Sequence, residues 1–368
     1  MTDGKWTAAL SPGASAVALA RVASAARPHR VPHCVRPDLA GGGAGLALAF
    51  HWLDRSMPGR GRDALAQGYL AAAIRGYERF GASPGLFGGV AGPAFAAWCV
   101  SPGGPALEYP ALHDRVVREA LARARQLGDG PPPARAVDVV SGLTGAGAYL
   151  LCRGDDPAAA AALRAVLTTL TRTGVRAGGP PDPGLAHGWS GPLALLSLAL
   201  AEGVAVRGQR EAVGRLAELL NDCRADDAWG PNWPGMTPGR TVRASWCRGS
   251  PGTARALWLA GRALGDEPLC DLAVRALKAV HRRPPEERRV DGAPGLCHGL
   301  AGLLQITSRF AHDTGDPGLV SAAARLAAAP FPAGGGPGFL DGAAGVLLAV
   351  LGAATDVEPA WDRALLLA

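Results

Sequence analysis

Two kinds of apolar segment alternate along this chain. One kind is apolar almost all round, as in LALAFHWL from Leu46, PLALLSLALA from Pro192 and VLLAVLGAA from Val346. A helix without a polar stripe belongs in an interior. The other kind carries its charges on one face and Leu, Val and Ala on the opposite face. Examples are GRDALAQGYLAAAIRGYERF from Gly61, LHDRVVREALARARQLG from Leu112, QREAVGRLAELLNDCRA from Gln209 and EPLCDLAVRALKAV from Glu267. These read as amphipathic helices of an outer layer.

A tetrapeptide G-x-x-G opens each inner segment. It occurs seven times, at Gly42, Gly89, Gly142, Gly188, Gly249, Gly299 and Gly342, with intervals of 47, 53, 46, 61, 50 and 43 residues. Such a period is two helices plus their loops. The pattern predicts an all-α fold, a double ring of seven inner and seven outer helices, that is an α/α toroid forming one domain over 1–368. An open solenoid of helix pairs is the competing arrangement; no polar cap is evident at either end, which favours closure. Glycines at a shared rim let backbones crowd together. They also let seven helix N-termini aim their positive ends at one small region.

Composition narrows the function. Hydrophobic residues make up 48% of the chain but aromatics only 5%, so the core is built mostly from Ala, Leu and Val, which suit close helix packing. The longest apolar stretch, 192–201, is shorter than the roughly 18 residues of a membrane span. The start, MTDGKWTAAL, lacks the basic and then apolar layout of a signal peptide. With seven cysteines, an odd number, the chain reads as a soluble cytoplasmic protein with reduced thiols. The net charge of +6 comes from scattered arginines. The densest basic run, HRRPPEERR, is half neutralised by Glu286 and Glu287, which argues against nucleic acid.

Chemistry concentrates just before the glycines of repeats three to six. Asp138 lies in DVVSGLTG, His187 in GLAHGWSG, Cys247 in RASWCRGSPG, and Cys297 with His298 in GLCHGLAG. A lone cysteine is most often a small hydrophobe, the reading applied to Cys34, Cys99, Cys152, Cys223 and Cys270. Cys247, Cys297 and His298 stand at equivalent positions of neighbouring repeats. Together they form a candidate zinc set, with the fourth tetrahedral position open as in catalytic sites. His187 matches His298 by position without a cysteine beside it, which makes it a candidate acid or base. Asp138 is either a helix cap or that histidine's partner; Asp341, in the seventh repeat, reads as a cap. Arg243, four residues before Cys247, is a surface charge or a cation that stabilises a developing anion. Trp229 and Trp233, in the widest interval, form either a loop over the pocket or a packed turn.

These motifs resemble the lanthionine synthetase C-like family, the lanthipeptide cyclases, over nearly the whole chain. RASWCRG resembles that family's Arg-x-x-Trp-Cys-Tyr-Gly element, GLCHGLAG its Cys-His-Gly element and GLAHGWSG its Ala-His-Gly element. The resemblance implies an α/α toroid with one zinc held by Cys247, Cys297 and His298. It implies addition of cysteine thiols of a dehydrated precursor peptide to dehydroalanine or dehydrobutyrine, which makes thioether rings. His187 then serves as acid or base, Asp138 orients it and Arg243 offsets enolate charge. Implied partners are the precursor peptide and a dehydratase, in the cytoplasm, either free or in a membrane-associated biosynthetic complex. Arg248 stands where the family has Tyr, and the 53-residue second interval leaves little room for an accessory domain. Two other readings stay open: addition of a small thiol such as glutathione to dehydroamino acids in proteins, and a scaffold with a structural zinc.

Overall fold

The computed structural model describes residues 5–25, 35–77, 84–101, 109–127, 132–175, 182–233, 243–290, 292–332 and 334–368. Cys34 lies outside them. Helices are numbered here along the chain. Those that follow the G-x-x-G turns are α2 (Gly43–Ser56), α4 (Ala91–Val100), α7 (Leu143–Leu151), α9 (Ser190–Ala201), α11 (Ser250–Leu264), α14 (Leu300–Thr314) and α16 (Ala343–Ala354). The amphipathic ones are α1 (Pro12–Ala25), α3 (Arg62–Tyr77), α5 (Pro110–Gln126), α8 (Pro157–Val175), α10 (Gln209–Asp222), α12 (Glu267–Arg282) and α15 (Pro317–Ala328). Single turns, α6 (Ala134–Val137) and α13 (Pro285–Arg288), complete the set. Among the described residues there is no strand, only an isolated bridge between Asp227 and Gly230.

The helices gather into two compact units. The first holds the described residues of Met1–Gly81, Ala96–Pro105 and Arg289–Trp361. Inside it α14 packs on α16 and α16 on α2, with α15 and α3 laid against α14 and α2. One outer position is filled out of chain order. After α16 comes only a 3-10 turn, Ala360–Leu365, and it is α1, from the other end of the sequence, that covers α16 and α15. Trp6 Nε1–H donates to Gly352 O at 2.8 Å, and the Ala9 and Leu10 N–H groups donate to Ala353 O. Arg21, which interrupts an Ala-rich run in the sequence, reaches the last carbonyls of α15, at Ala327 and Ala329. A cation at a helix C-terminus satisfies acceptors that the helix itself cannot.

The second unit holds Ala82–Phe95, Ala106–Arg288 and Asp362–Ala368. Here α7 packs on α9 and α9 on α11, while α8, α10 and α12 lie against them. The only described residues of α9 that are not buried are near its C-terminus, as its uniformly apolar sequence requires.

The glycines have a steric reason that the repeat alone does not state. The turn before each inner helix folds back so far that the carbonyl six residues earlier sits where a side chain of the second glycine would begin. A Cβ on Gly45, Gly145, Gly191, Gly252, Gly302 or Gly345 would lie closer than 3.0 Å to the carbonyl oxygen of Leu39, Val139, Leu185, Trp246, Leu296 or Phe339 respectively. Those residues, and Leu86 in the second repeat, are fully buried, each at 0% exposure. Five of these slots also receive an apolar side chain from a neighbouring turn: Leu86 at Gly145, Val139 at Gly191, Leu185 at Gly252, Leu296 at Gly345 and Phe339 at Gly45. One apolar residue per turn therefore locks two repeats together.

Backbone hydrogen bonds stitch the same turns into a cord. In the second unit Phe87 N–H donates to Val140 O, Val139 N–H to Ala186 O and Ala186 N–H to Cys247 O, each at 3.1 Å. In the first unit Cys297 N–H donates to Leu340 O and Leu340 N–H to Ala40 O, each at 2.9 Å. Within each unit, the inner helices thus start from one stitched edge.

Candidate metal centre and acid–base pair

The register of the turn decides which side chain is buried and which is presented. Six residues before the second glycine the side chain points into the core. Four before it, the positions are Gly41, Gly88, Ser141, His187, Arg248, His298 and Asp341, and the last four are all partly or fully exposed. His187, Arg248, His298 and Asp341 thus occupy the outward step of a turn whose inward step is fixed by packing.

Cys247 sits between two such steps. Trp246, just before it, is fully buried, donates Nε1–H to Leu365 O at 2.9 Å and meets Phe87 edge-on at 5.9 Å between centroids. An aromatic pair of this geometry contributes about 1 kcal/mol beyond the area it buries. Ser245 Oγ lies 3.6 Å from Cys247 Sγ. Cys297 is seated in the same way behind the buried Leu296. Cys247, Cys297 and His298 are each partly exposed, and they offer one ligand atom apiece, all within 4.8 Å of one another. Donors on a tetrahedron around an ion at 2.0–2.3 Å lie about 3.5 Å apart. Two thiols and an imidazole are the soft donors that zinc takes. Among the described residues no fourth Cys, His, Asp or Glu joins the group.

His187 occupies the turn between those of Asp138 and Cys247. Its Nδ1 lies 2.7 Å from Asp138 Oδ2, and the carboxylate is fully buried while the imidazole is 40% exposed. Asp138 Oδ1 accepts the N–H groups of Ser141 and Gly142 at 2.7 and 2.9 Å. Nδ1 is engaged by the carboxylate, and His187 helps to line a cleft of about 450 Å³. Arg135, Asp182, Trp189 and Arg248 help to line it.

The structure separates the two arginines around Cys247. Arg248 is on the cleft wall, its Cγ close over Gly184. Arg243 is exposed and is not among the lining residues. Arg135 and Asp182 carried no motif; their signal was only proximity to Asp138 and His187 in sequence. Asp341 does not cap: the N–H groups of Gly342, Ala343, Ala344 and Gly345 at the start of α16 donate to the backbone carbonyls of Gly338, Gly336, Pro337 and Gly338, and Asp341 Oδ1 lies instead 3.4 Å from His298 Nδ1. Trp233 resolves to a packed turn. It is fully buried and donates Nε1–H to Leu220 O at 2.6 Å. The neighbouring Asp227 binds the Trp229 N–H and the Arg283 guanidinium. Residues 234–242 of that interval lie outside the described ones.

The family model for lanthionine synthetase C-like proteins matches residues 33–366, and the chain belongs to that family. Among solved structures it is similar to nisin cyclase, with a TM-score of 0.79 over 96% of each chain at 18% identity. The fold class is therefore the all-helical α/α toroid. No curated protein matches it in sequence. No described helix is long and apolar enough to cross a membrane.

Proposed function

We propose that the chain is a zinc-dependent lanthipeptide cyclase, which adds cysteine thiols of a dehydrated precursor peptide to dehydroalanine or dehydrobutyrine and so closes (methyl)lanthionine rings. The observation that carries this is the meeting of Cys247, Cys297 and His298. Three donors are the number that leaves one position of a tetrahedral ion for a substrate. Zinc held there would supply Lewis acidity, lowering the pKa of a substrate thiol from its usual value of about 8.5 so that it reacts as thiolate near neutral pH.

The remaining steps belong to the chain's own side chains. A new C–S bond forms at the alkene Cβ as the double bond breaks, and the electron pair moves through Cα onto the carbonyl oxygen as an enolate. A proton must then reach Cα. His187 Nε2 is the group that delivers or removes it at the cleft, and Asp138 holds the ring with that nitrogen outward and stabilises the charged imidazolium. Arg248 on the cleft wall offsets the enolate charge; Arg243, exposed before Cys247, adds to the local positive potential. The precursor comes from a dehydratase acting on Ser and Thr, the partner that this chemistry requires.

Ring closure leaves the peptide mass unchanged, so the test counts thiols. A peptide with one cysteine and one dehydroalanine, incubated with the zinc-loaded protein, should lose its capacity to be alkylated by N-ethylmaleimide. Equal loss with a metal-free preparation would overturn the reading.

A further inference from the structure

Asp341 stands at the outward step of the seventh turn, the position that His298 holds in the sixth and His187 in the fourth. The first N–H groups of α16 donate to backbone carbonyls and leave the Asp341 side chain no capping role. The turn that carries it is fixed against the turn of His298 by three independent contacts. Cys297 N–H donates to Leu340 O at 2.9 Å. Gly295 lies so close that a Cβ there would be 2.5 Å from Asp341 Cα. Leu296 fills the slot over Gly345. The backbone thus holds the two turns side by side, within reach of the 3.4 Å approach of Asp341 Oδ1 to His298 Nδ1.

As at His187, where Asp138 of the preceding turn faces Nδ1 at 2.7 Å, a carboxylate of an adjacent turn lies on the Nδ1 side of His298, here from the following turn. A neutral imidazole has one lone pair, and the proton on the other nitrogen decides where it is. Without an acceptor at Nδ1 the proton spends part of its time on Nε2, where the ring cannot ligate through that atom. We propose that Asp341 is a positioning residue of the metal centre: by accepting Nδ1–H of His298 it fixes the tautomer whose Nε2 is the donor to the ion. This rests on the metal reading of Cys247, Cys297 and His298. Asp341 is 56% exposed, so its direct attraction for a cation is screened. Its effect is on the ring's proton and orientation, the usual role of a carboxylate behind a ligating histidine.

The test uses the full chain and two readouts. Zinc affinity is measured by competition with a chelating dye for the wild type, Asp341→Ala, Asp341→Asn and, as a distant surface control, Glu218→Gln. The His298 tautomer is read by NMR of protein carrying 15N-labelled histidine. Asp341→Ala should bind zinc about 10- to 100-fold more weakly and show a mixed His298 tautomer without metal. Asp341→Asn, whose carboxamide oxygen still accepts, should fall between it and the wild type, and Glu218→Gln should match the wild type. Wild-type affinity and an unchanged tautomer in Asp341→Ala would overturn the role of Asp341 while leaving the centre intact. A wild type that binds no zinc would instead overturn the centre itself, and this proposal with it.

Discussion

One carboxylate serves two turns: Asp138 gives Oδ2 to His187 Nδ1 at 2.7 Å and Oδ1 to the N–H groups of Ser141 and Gly142. Capping and orienting are not alternatives at this residue. The first fixes the carboxylate so that the second has a defined direction. The two roles can be pulled apart by substitution. Asp138→Asn keeps an acceptor for the turn but cannot stabilise an imidazolium, so cyclisation should fall by about 10²- to 10⁴-fold with little change in melting temperature. Asp138→Ala should in addition lose about 1 kcal/mol of stability. Thermal melts beside thiol-loss rates check both.

His187→Ala should bind zinc like the wild type and close no ring. Metal content by atomic spectroscopy and ring closure by alkylation separate the two properties. A His187→Ala protein that still closes rings at the wild-type rate would remove the imidazole from the reaction.

The wild type should carry about one zinc per chain. Cys247→Ala and Cys297→Ala each remove one of three donors, and both should lose the metal on dialysis against a mild chelator. Retention of a full equivalent in either variant would place the ion elsewhere.

Thiol labelling should sort the cysteines. Desolvation pushes Cys152 and Cys270 up to about 11, in Cys152 against the opposing pull of the Arg363 guanidinium. Both stay protonated through the neutral range and should label slowly at pH 8, whereas Cys247 and Cys297 should label quickly without metal and be protected by it. The same shift bears on stability. Between about 9, where a cysteine of the unfolded chain ionises, and 11, the folded state holds protons that the unfolded state has released. Stability therefore falls as pH rises through that window, and Cys270→Ala should flatten the fall, as read by denaturant titrations at pH 8 and pH 10.

Gly302→Ala places a methyl against the carbonyl oxygen of Leu296. The turn bearing Cys297 and His298 must shift to admit it. A cost of about 1–3 kcal/mol is expected, together with weaker zinc binding, measured by unfolding and by chelator competition. Gly13→Ala, where a Cβ meets nothing within 4 Å, is the control.

Much of this was legible in the residues. The seven G-x-x-G turns each precede a helix where the sequence placed one, and the motif cysteines and His298 fall on the turns that the repeat assigned to them. What escaped is non-local. Asp38, Asp138 and Asp341 look alike in sequence, each a carboxylate shortly before a glycine; Asp138 is already a candidate partner of His187 there, but only the adjacent turn shows that Asp341 faces His298. Nothing local announces that α1 covers α16, because the pairing joins segments about 330 residues apart. Arg243 and Arg248 are equally charged neighbours of Cys247, and which of them faces the cleft follows from the direction of the turn.

Trp246 holds Cys247 in place by donating to Leu365 O across 119 residues, and the Arg255 guanidinium reaches Leu367 O from the following helix. On the ribosome, then, the Cys247 turn lacks this acceptor for its tryptophan until Leu365 has emerged. The seat of Cys247 is therefore finished by a segment made more than a hundred residues after it, and the order of synthesis separates the thiol from its final support.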